Sequence, residues 1–197
     1  MLSGTRPAVY DEAVTGESSA ASARAALLAP GGNYGPDGPL LMFGGKAAQR
    51  RGASLHPVTW DPGAADPHAM VFTRVGQAVA GLDGTGSLII LGKSLGTMAA
   101  PVAADRGVPA VWFTPLLTDP DVVAALRRAT APCLLVGGTG DDWWDGDVAR
   151  SITPHVTEIE GADHGMFVPG PLAASAGVLG EVAAAVERFL DDIVWRS

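Results

Sequence analysis

The sequence is poor in cysteine and in positive charge and has no long apolar run, and each shortage removes a class of explanation. Cys133 is the only cysteine in 197 residues, so no intrachain disulfide can form and no thiolate cluster is available to a metal. Lysine and arginine together number 13 against 21 aspartates and glutamates, a net charge of -8. That balance, with no basic stripe or arm, disfavours nucleic acid and anionic lipid as partners and favours a small-molecule substrate. No uninterrupted apolar segment reaches transmembrane length, so no membrane span is expected. A basic leader followed by an apolar stretch is also missing, which makes the cytoplasm the expected compartment.

What is present is apolar: 47% of the residues. A chain of this length can bury one substantial core and is too short for two comfortable domains, so residues 1–197 are expected to form a single compact domain. Short apolar runs alternate with helix-like spacings. Strands are expected at Ala23 to Ala29, Leu55 to Trp60, Leu88 to Leu91, Val108 to Thr114, Pro132 to Val136 and Val156 to Ile159. Helices are expected at Pro39 to Arg51, Met70 to Leu82, Leu95 to Arg106, Asp119 or Asp121 to Arg128, and Leu172 or Ser175 to Leu190. Pro101 should shorten or kink the third of these unless it lies in the first turn. Apolar strands flanked by amphipathic helices imply a three-layer α/β domain with a mostly parallel central sheet, because both sheet faces need cover.

Chemistry concentrates where strands end. Gly92-Lys93-Ser94-Leu95-Gly96 follows the run Ser87 to Leu91, and its G-x-S-x-G pattern can hold a serine on a sharp strand-to-helix turn. Asp141 and Asp142 follow the fifth strand, His164 follows the last, and Pro30-Gly31-Gly32-Asn33 follows the first. In a parallel α/β sheet all four would meet beyond the carboxyl ends of the strands. The order serine, aspartate, histidine suits a nucleophile, an orienting acid and a base. The spacing of Gly86 and Gly92 does not make a phosphate-binding loop, and His155, Asp163 and His164 lack a third convergent ligand for a metal. No cofactor and no metal are therefore expected.

These motifs resemble the α/β-hydrolase superfamily, in particular its small lidless serine hydrolases of the esterase, thioesterase and dienelactone-hydrolase type. The resemblance runs from about Ala23 to Leu190 and rests on the Gly92 to Gly96 elbow, on Gly138-Thr139-Gly140-Asp141 and on Gly161-Ala162-Asp163-His164-Gly165. It implies Ser94 as nucleophile, Asp141 as acid and His164 as base. It also implies an oxyanion hole from the backbone N–H groups of Leu95 and Gly32. Pro30 stands where many members carry histidine, and the short N-terminal lead implies that the first strands of the family sheet are missing or reduced. The expected activity is cleavage of a small carboxylic ester or thioester through an acyl-enzyme. A noncatalytic binding protein on the same scaffold and a related acyltransferase or lyase are the alternatives.

Several residues compete for these roles. Asp142 is not separable from Asp141 by the residues alone; the family spacing selects Asp141. Ser94 could simply cap a helix, and Asp163 reads as a turn former. His56, His68 and His155 lack an acid turn nearby. Asn33, Trp143, Trp144, Met166 and Phe167 are the candidate pocket residues, while Lys93 on the elbow is given no catalytic role. Only Pro115 to Thr118 separates the fourth strand from the next helix, too little for a cap domain. The pocket is expected to be open, completed by the Asn33 to Pro39 loop or by a neighbouring copy in a homo-oligomer.

Overall fold

A computed structural model describes residues 24–61 and 63–196. Ala23 and the N-terminal lead, and with them the expectation of reduced N-terminal strands, lie outside the described residues. The strands are β1 (Arg24–Ala29), β2 (Ala53–Pro57), β3 (Ser87–Lys93), β4 (Ala110–Phe113), β5 (Cys133–Gly138) and β6 (Val156–Ile159). They form one parallel sheet in the order β2-β1-β3-β4-β5-β6. The helices are α1 (Pro39–Gln49), α2 (Pro67–Ala80), α3 (Ala100–Arg106), α4 (Pro120–Arg128), α5 (Gly146–Ile152) and α6 (Leu172–Phe189). None among the described residues is long and apolar enough to cross a membrane.

Alternation along the strands divides the core in two. Ala26, Leu28, Ile89, Leu91, Val111, Phe113, Leu134 and Val136 face α1 and α6, where Leu41, Val182, Val186 and Phe189 meet them. Their neighbours Leu27, Ile90, Trp112 and Leu135 face α2, α3 and α4, against Val71, Val75, Val102 and Leu126. A strand buried on both faces has no polar side to show, which is why β1, β4 and β5 read as nearly continuous apolar runs.

Local chemistry sets the helix starts. Asp66 accepts from the Ala69 N–H and Pro67 opens α2, which begins three residues before the apolar spacing indicates. Asp119 caps α4 through the N–H groups of Asp121 and Val122. The stretch expected as one helix from Leu95 is a 3-10 helix, Ser94–Ala99, followed by α3. Pro101 is the second residue of α3, where its missing N–H breaks no helical bond. Helix α5 is not among the sequence expectations: only Ala149 is buried in it, so no apolar period marks it, and its start depends on the Asp145 cap. Strand β2 ends at Pro57, short of the expected Trp60, because its pairing with β1 runs from Ala53 opposite Arg24 to Pro57 opposite Leu28.

The sheet reverses its direction of growth between β1 and β3. Chain order runs outward from β1 to β2, then returns to β3 on the other side of β1 and continues to β6. Such a reversal opens a crevice beyond the strand ends. Two glycines bring the crevice walls together. A Cβ on Gly92 would run into the Trp112 ring, and one on Gly96 would overlap the Ala29 carbonyl oxygen. Gly96→Ala is therefore expected to cost about 2 kcal/mol or more of stability, read as a lowered urea midpoint; an unchanged midpoint would mean that the Ala29 backbone can yield.

Cys133, at the start of β5, is buried, and burial pushes its thiol up to about 11. Only the thiolate alkylates. At pH 8 the native protein is expected to react with iodoacetamide about a hundredfold or more slowly than the urea-unfolded chain. Equal rates in the two states would show that the β5 start opens to solvent.

Candidate active site

Ser94 is the first residue after β3 and has φ +52°, a left-handed backbone that costs a non-glycine residue about 1 kcal/mol or more. The turn is tight enough to lift the side chain above the strand ends. There the Ser94 hydroxyl meets His164 Nε2 at 2.8 Å. On the other edge of the ring, His164 Nδ1 lies 2.8 Å from Asp141 Oδ2. An ionised carboxylate only accepts hydrogen bonds, so the neutral ring carries its proton on Nδ1 and presents the Nε2 lone pair to the Ser94 O–H.

The supports of these three side chains interlock. The Asp141 side chain is 1% exposed, and its second oxygen accepts the Trp143 N–H at 3.0 Å. The Gly140 N–H donates to the Ala162 carbonyl at 3.0 Å, and the Gly161 N–H to Thr139 Oγ1 at 2.7 Å, tying the loop after β5 to the loop after β6. Within the latter loop Asp163 accepts the N–H groups of Gly165 and Phe167 at 2.8 and 2.9 Å, while its own N–H donates to the Phe167 carbonyl. Asp163 thus closes the turn that carries His164, and Met166 takes φ +64° to complete it. Asp142 is exposed, and the carboxylate on His164 Nδ1 is that of Asp141.

A cavity of about 570 Å³ opens over Ser94. Gly32, Asn33, Tyr34, Lys93, Leu95 and His164 line its floor side, with Trp60, Met70, Leu116 and Trp143 as apolar walls. Trp143, half exposed, is one of these walls, and Asn33 lies on the floor side. Trp144, Met166 and Phe167 are corrections. Trp144 is turned into the fold over Gly137, and its indole N–H donates to Glu158 at 2.7 Å. Met166 and Phe167 line a separate apolar groove with Leu40, Leu172 and Leu179, because the closed Asp163 turn directs them away from Ser94. The wall residues Trp60, Asp61, Pro67 and Met70 come from the β2–α2 connection and the first turn of α2, which the apolar spacing reads only as strand and helix ends.

The Gly31–Gly32 loop is held from three sides. The Gly31 N–H donates to the Tyr34 carbonyl at 3.0 Å, and the Trp60 indole N–H donates to the Gly31 carbonyl at 3.3 Å. Tyr34 Oη accepts the Leu40 N–H at 2.7 Å, satisfying one of the donors left open at the start of α1. Burial pushes the Tyr34 phenol above its ordinary range. Among the described residues the Gly32 N–H has no protein acceptor, and Leu95 lies in the first turn of the 3-10 helix, where N–H groups have no intrahelical acceptor. Lys93 is 4% exposed; burial lowers its ammonium to about 8, opposed by the charges of Asp141 and Asp163.

The other histidines stand apart. His56 pairs with Ser54 at 2.8 Å, His68 lies 3.8 Å from Asp119, and His155 packs edge-on to Phe189. Among the described residues no group of three or more His, Cys, Asp or Glu side chains is arranged to hold a metal ion.

No protein-family model and no curated protein sequence matches the chain. Solved structures do. An α/β serine hydrolase homologue from Coxiella burnetii is 17% identical, with 85% of each chain covered and a TM-score of 0.68. A lidless α/β serine hydrolase from Xanthomonas campestris is 15% identical, covering 86% of this chain and 84% of its own, at a TM-score of 0.62. Est1E from Butyrivibrio proteoclasticus, in a structure with ferulic acid bound, is 13% identical over 85% of this chain and 88% of its own, at a TM-score of 0.64. With its six parallel strands in this order and helices on both faces, the chain has the α/β-hydrolase fold.

Proposed function

We propose that the chain is a serine hydrolase that cleaves a small carboxylic ester or thioester through an acyl-enzyme, as a single domain without a cap. The observation that carries this reading is the unbroken relay from Ser94 Oγ through His164 to Asp141, both contacts at 2.8 Å. Its fold is that of neighbours described as serine hydrolases and an esterase. Among the described residues, the segment between β4 and α4 contains no helix, and the cavity over Ser94 is open to substrate.

Each step follows from the protonation states above. His164 Nε2 takes the Ser94 proton as Oγ attacks the substrate carbonyl, and Asp141 stabilises the imidazolium that forms. The imidazolium then protonates the departing alcohol or thiol, leaving an ester on Ser94. Water enters, gives its proton to His164 and attacks that ester, and the acid product leaves with Ser94 reprotonated. The negative oxygen of each tetrahedral intermediate is received by the N–H groups of Leu95 and Gly32, each worth about 3 kcal/mol in transition-state stabilisation.

Trp60 has a positioning role in this scheme. A peptide unit is planar and trans, so the Gly31 carbonyl and the Gly32 N–H point in opposite directions. By holding that carbonyl, the Trp60 indole aims the Gly32 N–H.

A fluorophosphonate probe is expected to label Ser94 in the folded protein and to lose that label in Ser94→Ala. Labelling rates should fall about 10⁴-fold in Asp141→Asn, whose side chain stabilises the wrong tautomer, while Asp142→Asn stays near wild type. The reverse ranking would move the acid to Asp142, and a folded protein with no label and no turnover of short esters or thioesters would end the hydrolase reading. Trp60→Phe keeps the apolar wall and removes the N–H donor. It should lower kcat roughly ten- to a hundredfold with a smaller change in KM; a change in KM alone would reduce Trp60 to a wall.

A further inference from the structure

Lys93 is the charged residue nearest the nucleophile in sequence, and the relay makes no use of it. It ends β3, is 4% exposed, and lines the same cavity as Ser94, Gly32 and His164. Its Nζ lies 5.1 Å from the centre of the Tyr34 ring. Among the described residues no carboxylate is within ion-pairing distance of it. The two carboxylates whose charge it feels are engaged elsewhere: Asp141 by His164 and the Trp143 N–H, Asp163 by the N–H groups of Gly165 and Phe167.

A buried ammonium is costly unless a counter-charge meets it, and the face of a tyrosine offsets only part of that cost. The missing counter-charge can come from a ligand in the cavity. The chain as a whole carries -8, so its long-range field does not draw anions in. An anionic ligand must be selected by a local cation, and Lys93 is the one lysine or arginine among the cavity's lining residues; the one carboxylate in that lining, Asp61, accepts the Gly63 N–H at 2.9 Å. The apolar walls at Trp60, Met70, Leu116 and Trp143 suit the uncharged remainder of such a ligand.

Building on the serine-hydrolase reading, we infer that Lys93 receives a carboxylate of the substrate, making half-esters and half-thioesters of short dicarboxylic acids the preferred class. The carboxylate forms a charge-assisted hydrogen bond with Nζ while Ser94 attacks the esterified end. The pH dependence has a definite sign. The Tyr34 ring lies by Nζ from the loop after β1; Asp141 on the loop after β5 and Asp163 on the loop after β6 act on it by charge, and His164 and Asp61, the latter on the β2–α2 connection, share its cavity. Tyr34, raised by burial, stays neutral across this range, and both esters depend alike on His164, so their ratio isolates Lys93. The preference for charged esters is therefore present below about pH 8 and declines above it as Lys93 loses its proton.

The test compares kcat/KM for monoethyl glutarate with that for ethyl pentanoate, in which a methyl replaces the carboxylate. The wild type is expected to favour the half-ester about tenfold or more at pH 7, with the ratio falling between pH 7.5 and 9. Lys93→Met should bring the ratio to one or below, and Lys93→Arg should restore part of it. A wild-type ratio of one or less, or a ratio unchanged in Lys93→Met, overturns the assignment. Binding of glutarate to Ser94→Ala, followed by calorimetry at millimolar concentration, is independent of turnover and of whether Lys93→Met folds. Binding at pH 7 that weakens at pH 9 supports the assignment, and no binding at either pH counts against it. The two readings fail separately: glutarate binding without Ser94 labelling or turnover sinks the hydrolase alone, whereas cleavage of neutral esters without any effect of charge sinks the role of Lys93 alone.

Discussion

The contact between Gly96 and the Ala29 backbone is the constraint from which the site follows. Because residue 96 has no side chain, the turn after β3 can press against the end of β1, and the Gly31–Gly32 loop comes to lie beside Ser94 and Leu95. The sheet's reversal between β1 and β3 puts these two strand ends next to each other; the glycine lets them touch. A larger residue would push the turn that carries Ser94 away from the Gly31–Gly32 loop. The left-handed backbone of Ser94 is sustained by the same packing, since its local cost is offset by the buried strands and helix on either side.

Polar groups around this contact are organised by burial. Asp141 is nearly sealed from solvent and engages both its oxygens, so its charge acts through His164 rather than being screened by water. His164 is only partly covered, its side chain 34% exposed, so its Nε2 edge and Ser94 share the open cavity. Between them the Asp163 turn acts as a rigid bracket, with its hydrogen bonds running along the loop. One aspartate orients the ring and the adjacent one in the histidine loop shapes the backbone, a division decided by which carboxylate the ring can reach.

Much of this was legible in the residues because it depended on strand ends. Apolar runs located all six strands to within a few residues, and the polar residues just beyond them, Ser94, Asp141 and His164, are the ones the fold gathers. Asp141 and Asp142 could not be told apart by chemistry, since only the backbone bond from the Asp141 N–H to Gly138 and the bend after it decide which carboxylate turns inward. Helix α5 escaped because a seven-residue helix with one buried side chain leaves no period to read. The cavity walls escaped for a different reason. Trp144, Met166 and Phe167 are near the site in sequence but are carried away by tight turns, whereas Trp60 and Met70 are distant in sequence and arrive through the β2–α2 connection. Side-chain direction in a turn is a tertiary outcome that spacing does not encode.

The origin of those walls also separates two parts of the molecule that can vary independently. The relay hangs from β3, β5 and β6, whereas Trp60, Asp61, Ala64, Pro67 and Met70 all come from one short segment beyond the edge strand β2. Among the described residues, no side-chain hydrogen bond joins that segment to β3, β5 or β6; its tether runs from Trp60 to Gly31, in the loop after β1. Asp61 and residues 63–70 are thus a natural target for loop grafting or recombination, in which the shape of the entrance is redesigned and the contacts among Ser94, His164 and Asp141 are left in place.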